Sequence, residues 1–202
     1  MLTRVLLIRH AMTDAIGHHL AGIAPGTPLN ETGRAQVSQL VERLHDVALT
    51  AIICSPLERT IQTAEPLARD HRLIPELNAA FLEYNVGDWT GATLAALESD
   101  AAWQRFNSIR SMTRPPRGEL MIDVQHRAVT ALLDICGRFG GGTIAIVSHG
   151  DVIRSILLYL LGMPIDFFHR LEISPARISV CEIGGDAPRV LLVNGDNVTG
   201  LL

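Results

Sequence analysis

Three short runs, "RVLLIRH" (4 to 10), "LTAIICS" (49 to 55) and "TIAIVSH" (143 to 149), constrain this chain more than any other feature. Each is almost continuously apolar and rich in β-branched residues, the pattern of strands buried on both faces rather than one. Such strands pair in parallel, and parallel pairing demands crossover connections, which are usually helical. Helix signals follow each run. After the first and a long loop, Asn30 is placed to cap a helix with Glu31 in its first turn, and Val37, Leu40, Val41 and Leu44 recur at helical spacing. After the second, Pro56 marks a helix start with Leu57, Ile61, Ala64 and Ala68 on one face. After the third, Val152, Ile153, Ile156, Leu157, Leu160 and Leu161 leave little polar surface, and Gly162 and Pro164 end the helix. Val129, Leu132, Leu133 and Cys136 mark a further helix before the third strand, ended by the glycines at 140 to 142.

The tail reads as two strands, "RISVCEI" and "RVLLVN", joined by the turn "GGDAP", so at least one strand must be antiparallel. Strands alternating with helices predict an α/β layered fold with a mostly parallel sheet. With 202 residues, 48% of them hydrophobic, one domain can fill one core, and the whole of 1–202 is read as a single domain. The stretch from Tyr84 to Gly118 has a weak helical pattern and is expected to form a lid insertion.

Several function classes recede. A net charge of −4 gives no global attraction to nucleic acid or to an anionic membrane. The longest apolar stretches fall short of the ~18 residues that a membrane span needs, and the N-terminus lacks a secretory signal pattern. A cytoplasmic location is therefore expected. Cys54, Cys136 and Cys181 are odd in number and set among apolar residues, as packing thiols are. His18 and His19 with Asp14 could suggest a metal, but adjacent residues seldom ligate one ion and no recognised ligand spacing supports it, so no metal or other cofactor is expected.

In open parallel sheets ligands bind beyond the carboxyl ends of the strands. There the first run delivers Arg9 and His10, the second Ser55 and then Arg59, the third Ser148, His149 and Gly150. Arg59 stands early in a helix, the wrong end for a cation, and a bound anion would remove that mismatch. Cations and hydroxyls at three strand ends therefore predict an anion site, aided by the helix that begins near Gly150.

"LLIRHAMTD", "SPLERTIQTA", "FLEYNVGDWTG" and "IAIVSHGDVIRSILLYLLG" resemble, in order, the signature segments of the histidine phosphatase family, which includes cofactor-dependent phosphoglycerate mutases. The resemblance implies a three-layer α/β/α sandwich with a mostly parallel mixed sheet and a small helical lid. It implies catalysis by His10 and Glu83, with phosphate held by Arg9, Arg59, His149, Thr13 and Gly150. The departures are Ala11 and Met12 in place of Gly and Glu, Ile16 in place of a phosphate-contacting Asn, and Leu120 in place of a Ser in "PPRGEL".

The resulting expectation is a metal-independent phosphomonoester hydrolase working through a phosphohistidine on a small phosphorylated metabolite. The alternatives are a mutase and a catalytically inactive phospho-ligand binding protein. A mutase needs a second anion clamp, and no basic pair follows Glu83 before Arg105. Besides its substrate, a second copy of the chain is left open as a partner. The substrate's identity is not legible, nor is whether His18, His19, Arg114 or Arg117 contacts it.

Overall fold

The computed structural model describes residues 1–185 and 187–201. A six-stranded sheet forms the middle layer, ordered β3-β2-β4-β1-β5-β6. The members are β1 (Thr3–Arg9), β2 (Leu49–Cys54), β3 (Glu76–Leu77), β4 (Thr143–Ser148), β5 (Ile178–Ile183) and β6 (Arg189–Gly195). β3, β2, β4 and β1 run parallel, while β5 is antiparallel to both β1 and β6. The expected mixed sheet and tail hairpin are therefore present; residue 186 of its turn lies outside the described residues.

Side chains alternate across a strand, and this divides the core into two layers. Val5, Leu7, Ile53, Ile144 and Ile146 pack on the face covered by α5 (Met121–Arg138) and α6 (Gly150–Leu160). Leu6, Ile8, Ile52, Ala145 and Val147 pack on the face covered by α1 (Glu31–Leu44) and α2 (Glu58–Asp70). β1 and β4 are central, and their middle residues, Val5 to Ile8 and Ile144 to Val147, are apolar on both faces, which is why their ends are rigid platforms. Burying each such side chain contributes roughly 1.5–3 kcal/mol.

α1 begins as expected, with the Asn30 side chain accepting from the Gly33 N–H at 2.9 Å. Gly33 also lets the loop after β1 come close, because a Cβ there would lie 2.1 Å from the Met12 carbonyl oxygen. In α2 the buried face differs from the expected stripe. The helix starts at Glu58, two residues after Pro56, with Leu57 as its cap. Arg59, Thr60, Thr63, Ala64, Leu67 and Ala68 are buried, whereas Leu57 and Ile61 are only half-buried. Thr60 and Thr63 can be buried because their hydroxyls donate to the Ser55 and Arg59 carbonyls, each at 2.7 Å. In α5 Leu133 faces outward, and Met121, Val124 and Ala128 extend the buried face instead. α6 is buried through Leu158, but Leu160 is half-buried and Leu161 exposed.

The segment 84–118 contains α3 (Leu94–Leu97) and α4 (Ala101–Ser108), capped by Thr93 and Asp100. Tyr84, Trp89 and Phe106 are buried in it, and Trp89 meets Trp103 edge-on at 5.3 Å. Its inner side belongs to the apolar layer under α5 and α6. Cys54, Cys136 and Cys181 are free and buried, with burial raising their thiols to about 12, 11 and 12. Among the described residues, no helix is long and apolar enough to cross a membrane.

Candidate active site

A cavity of about 170 Å³ opens at the carboxyl ends of β1 and β4. Arg9, His10, Thr13, Arg59, Glu83 and Gly150 all line it, together with Ile16, His19, Tyr84 and Asp151. His149 does not form the wall; its ring lies behind His10, the two centroids 5.2 Å apart at 64°.

β1 hands the chain directly to the site. The His10 N–H donates to the Ser148 carbonyl at 2.9 Å, continuing the β1–β4 ladder one residue past the strand. The buried His10 ring then turns back, with Nδ1 2.8 Å from the Ala11 carbonyl oxygen. A carbonyl can only accept, so Nδ1 carries the proton and Nε2 keeps its lone pair. Burial, then Arg59 and Arg9, hold the pKa of His10 well below the usual imidazole value. The ring is accordingly neutral at neutral pH.

Arg9 donates from Nη1 to the Ile173 carbonyl, and its Nε is buried without a protein partner. Its guanidinium lies against the first turn of α6: a Cβ on Gly150 would sit 3.1 Å from Arg9 Cζ. Arg59, 3% exposed, donates from Nη2 to the Gly22 carbonyl at 2.8 Å. Thr13 Oγ1 and His149 Nδ1 are likewise buried and unpartnered. Such groups are uncommon in folded proteins, and Arg9 Nε and Thr13 Oγ1 belong to residues that line this cavity. Like His10, His149 is kept neutral, first by burial and then by Arg59. Its Nε2 is 2.8 Å from Ser55 Oγ.

Glu83 enters from the opposite side on the turn after Phe81. Its side chain is 16% exposed, and Oε2 lies 3.9 Å from His149 Nδ1. Burial and then Asp151 raise its pKa to about 7, against the opposing pull of Arg59 and Arg9.

The sequence reading missed the frame behind Glu83. Arg127 on α5 donates to the Ala80 carbonyl at 2.6 Å and the Glu83 carbonyl at 3.3 Å. It also forms a two-point ion pair with Glu119, 2.8 Å from Nε to Oε1 and 3.1 Å from Nη2 to Oε2. Glu119 in turn accepts from the Asn85 N–H. Its place in "RGE" was the only sequence signal.

Other candidates fall elsewhere. Ser148 Oγ donates to the Phe81 carbonyl at 2.8 Å, and Ser55 is held by His149, so both hydroxyls are engaged inside the protein. Arg114 pairs with Asp123 and Arg117 with Asp88, away from the cavity wall. His19 lines the wall, whereas His18 and Asp14 do not. Asp14 accepts from the Asn30 amide, and no group of three or more His, Cys, Asp or Glu among the described residues is arranged to hold a metal ion.

Two arginines, neutral imidazoles and a carboxyl whose pKa burial raises to about 7, set on the carboxyl edge of a parallel sheet, define an α/β protein with a positively charged cavity suited to an anion. Residues 5–196 match the histidine phosphatase superfamily (branch 1), and the chain belongs to that family. A bifunctional protein of Mycobacterium tuberculosis is 32% identical over 196 residues, covering 95% of this chain and 54% of that protein. This chain thus spans about half the length of that relative. Glucosyl-3-phosphoglycerate phosphatase of the same organism is 28% identical over 172 residues, 80% of this chain and 77% of the enzyme. The solved structure of YhfR from Bacillus stearothermophilus superimposes with a TM-score of 0.89 at 28% identity, covering 98% of each chain.

Proposed function

We propose that this protein is a metal-independent phosphomonoester hydrolase that works through a phosphohistidine on His10. The observation that carries this reading is the His10 ring itself, neutral, fixed by Ala11, and presenting Nε2 to a cavity flanked by Arg9 and Arg59.

In the first step the Nε2 lone pair attacks phosphorus, forming the P–N bond as the P–O ester bond breaks. Protonated Glu83 gives its proton to the departing alkoxide. Arg9, Arg59 and the neighbouring His149 and Thr13 stabilise the charge spread over the phosphoryl oxygens, with the N-terminus of α6 at Gly150 adding its positive end. In the second step water attacks phosphorus and loses its proton to Glu83. The P–N bond breaks and its electrons return to Nε2. A carboxyl of pKa about 7 can serve both steps near neutral pH, as acid and then as base. The two guanidinium groups supply the positive charge that a metal provides in other phosphoryl-transfer sites.

Mutase chemistry must retain a bisphosphorylated intermediate, and no guanidinium or ammonium beyond Arg9 and Arg59 lines the cavity among the described residues. That favours release to water. The test is a screen of phosphate esters with mutase activity assayed in parallel, coupled to rapid quench at alkaline pH and mass spectrometry. Acid-labile phosphate on His10 is expected. Phosphate on Ser55 or Ser148 overturns the assignment.

A further inference from the structure

Besides Arg9, His10, Thr13 and Arg59, the other half of the cavity's lining bears on the substrate. Ile16, Leu20, Val86 and Leu94 make an apolar wall there, with the Tyr84 ring, and His19 contributes an imidazole. The acidic groups facing the cavity are Glu83 and Asp151. Two more guanidinium groups lie nearby, and Asp151 holds both. Its Oδ2 is 3.4 Å from Arg110 Nη1, and its Oδ1 is 3.0 Å from Arg154 Nη1.

Those arginines are also fixed from behind. Arg110 is 4% exposed and lies over the rings of Phe106 and Phe168, at 4.5 and 3.9 Å. Arg154 lies 4.6 Å over Phe168 and donates from Nε to the Leu171 carbonyl. Neither can swing toward a ligand without leaving aromatic and ionic contacts in a desolvated setting. Once a phosphoryl group occupies Arg9 and Arg59, an acid on the rest of the substrate would meet apolar side chains, the His19 imidazole and the carboxyls of Glu83 and Asp151, with no unpaired guanidinium among them. An unpaired charge in such surroundings is strongly disfavoured.

We propose that this half of the cavity selects phosphate monoesters of neutral, partly apolar alcohols and rejects alcohols that carry a second carboxylate or phosphate, with Asp151 as the specificity-determining residue. This rests on the hydrolase reading above.

The experiment compares matched esters on the purified protein: phenyl phosphate against 4-carboxyphenyl phosphate, and glycerol 3-phosphate against 3-phosphoglycerate. Within each pair the neutral member should show a kcat/KM at least about tenfold higher. In Asp151→Asn, which leaves the charges of Arg110 and Arg154 without their carboxylate, the ratio should narrow by about tenfold. Taking the ratio cancels any loss shared through Glu83. Leu94→Arg, a half-buried position on the wall, should narrow it as well and keeps the proposal testable if Asp151→Asn misfolds. Equal or reversed preference in the wild-type protein overturns the proposal, and an unchanged ratio in folded Asp151→Asn removes Asp151 from it. No turnover on any ester, p-nitrophenyl phosphate included, overturns the hydrolase reading instead. Selectivity is then measured as affinity of the same pairs for the His10→Ala protein by calorimetry, where equal affinities overturn it.

Discussion

His10 and Ala11 are neighbours in sequence, and the 2.8 Å hydrogen bond from the His10 ring to the Ala11 carbonyl determines which imidazole nitrogen is left to react. Ala11 thus fixes the tautomer of the residue that directly follows the strand. With Nδ1 engaged, Nε2 alone has a lone pair for phosphorus. Nitrogen-15 NMR should find the His10 ring neutral at pH 6, with Nδ1 protonated and Nε2 bare. His10→Ala should lose turnover to background while keeping the fold. A protonated Nε2 and bare Nδ1 would contradict the geometry.

In the proposed mechanism a pH dependence follows from His10 and Glu83. His10 must be neutral to attack, and its pKa lies well below 6.5, so its titration leaves activity intact into mild acid. Glu83 must be protonated to start the cycle, and its pKa is about 7, so kcat/KM should fall above that point. Asp151 helps to raise Glu83, second only to burial. Asp151→Asn should therefore move the alkaline limb to lower pH, whereas the substrate's own ionisation is common to both profiles. An unmoved limb would separate Asp151 from the acid.

In the proposed mechanism Arg127 positions Glu83, and its loss should resemble a weakened acid. Arg127→Met keeps the stem but releases the carbonyls of Ala80 and Glu83 and leaves Glu119 unpaired. A displacement on the order of 1 Å near the chemistry costs roughly 100-fold in rate. kcat on sugar phosphates should fall by about 10- to 100-fold with little change in KM, while p-nitrophenyl phosphate should suffer less. Arg127→Lys should recover part of the loss. Equal losses on both substrates would assign Arg127 to the general fold.

What the sequence disclosed and what it hid divide along physical lines. The central strands were legible because burial on both faces writes a continuous apolar run, and Arg9, His10 and His149 were legible because they stand where such runs stop. The buried face of α2 was not, because Arg59, Thr60 and Thr63 are polar and become buriable through their hydrogen bonds to the Gly22, Ser55 and Arg59 carbonyls. β3, two residues long, is too short for any periodicity. Arg110 meets Asp151 across 41 positions and Arg127 reaches the Glu83 carbonyl across 44, and no local pattern encodes such contacts.

The assignment of Glu83 admits two independent checks. A general acid matters most when the departing alkoxide is a strong base, and positioned proton transfer contributes about 10²–10⁴-fold. Glu83→Gln keeps size and hydrogen bonding but cannot give up a proton. Its phosphorylation step should be crippled with sugar or glycerol phosphates and far less affected with p-nitrophenyl phosphate, whose leaving group departs unaided. That substrate should give a burst near one per site and then a slow phase in which phosphohistidine accumulates, because water has lost its base. Stability supplies the other check. The folded-state pKa of about 7 exceeds the ordinary 4.5, so between those values the unfolded chain sheds a proton that the folded protein keeps. The wild-type protein therefore loses stability as pH rises from 4.5 to 7, and Gln is free of that loss. Glu83→Gln should melt higher than wild type at pH 8, by roughly 1–3 kcal/mol in unfolding free energy, and the advantage should shrink toward pH 4.5. Two other carboxyls of this region are engaged elsewhere, Asp88 with Arg117 and Glu119 with Arg127. Equal slowing on both substrate classes together with a pH-independent stability difference would nonetheless remove Glu83 from the proton path.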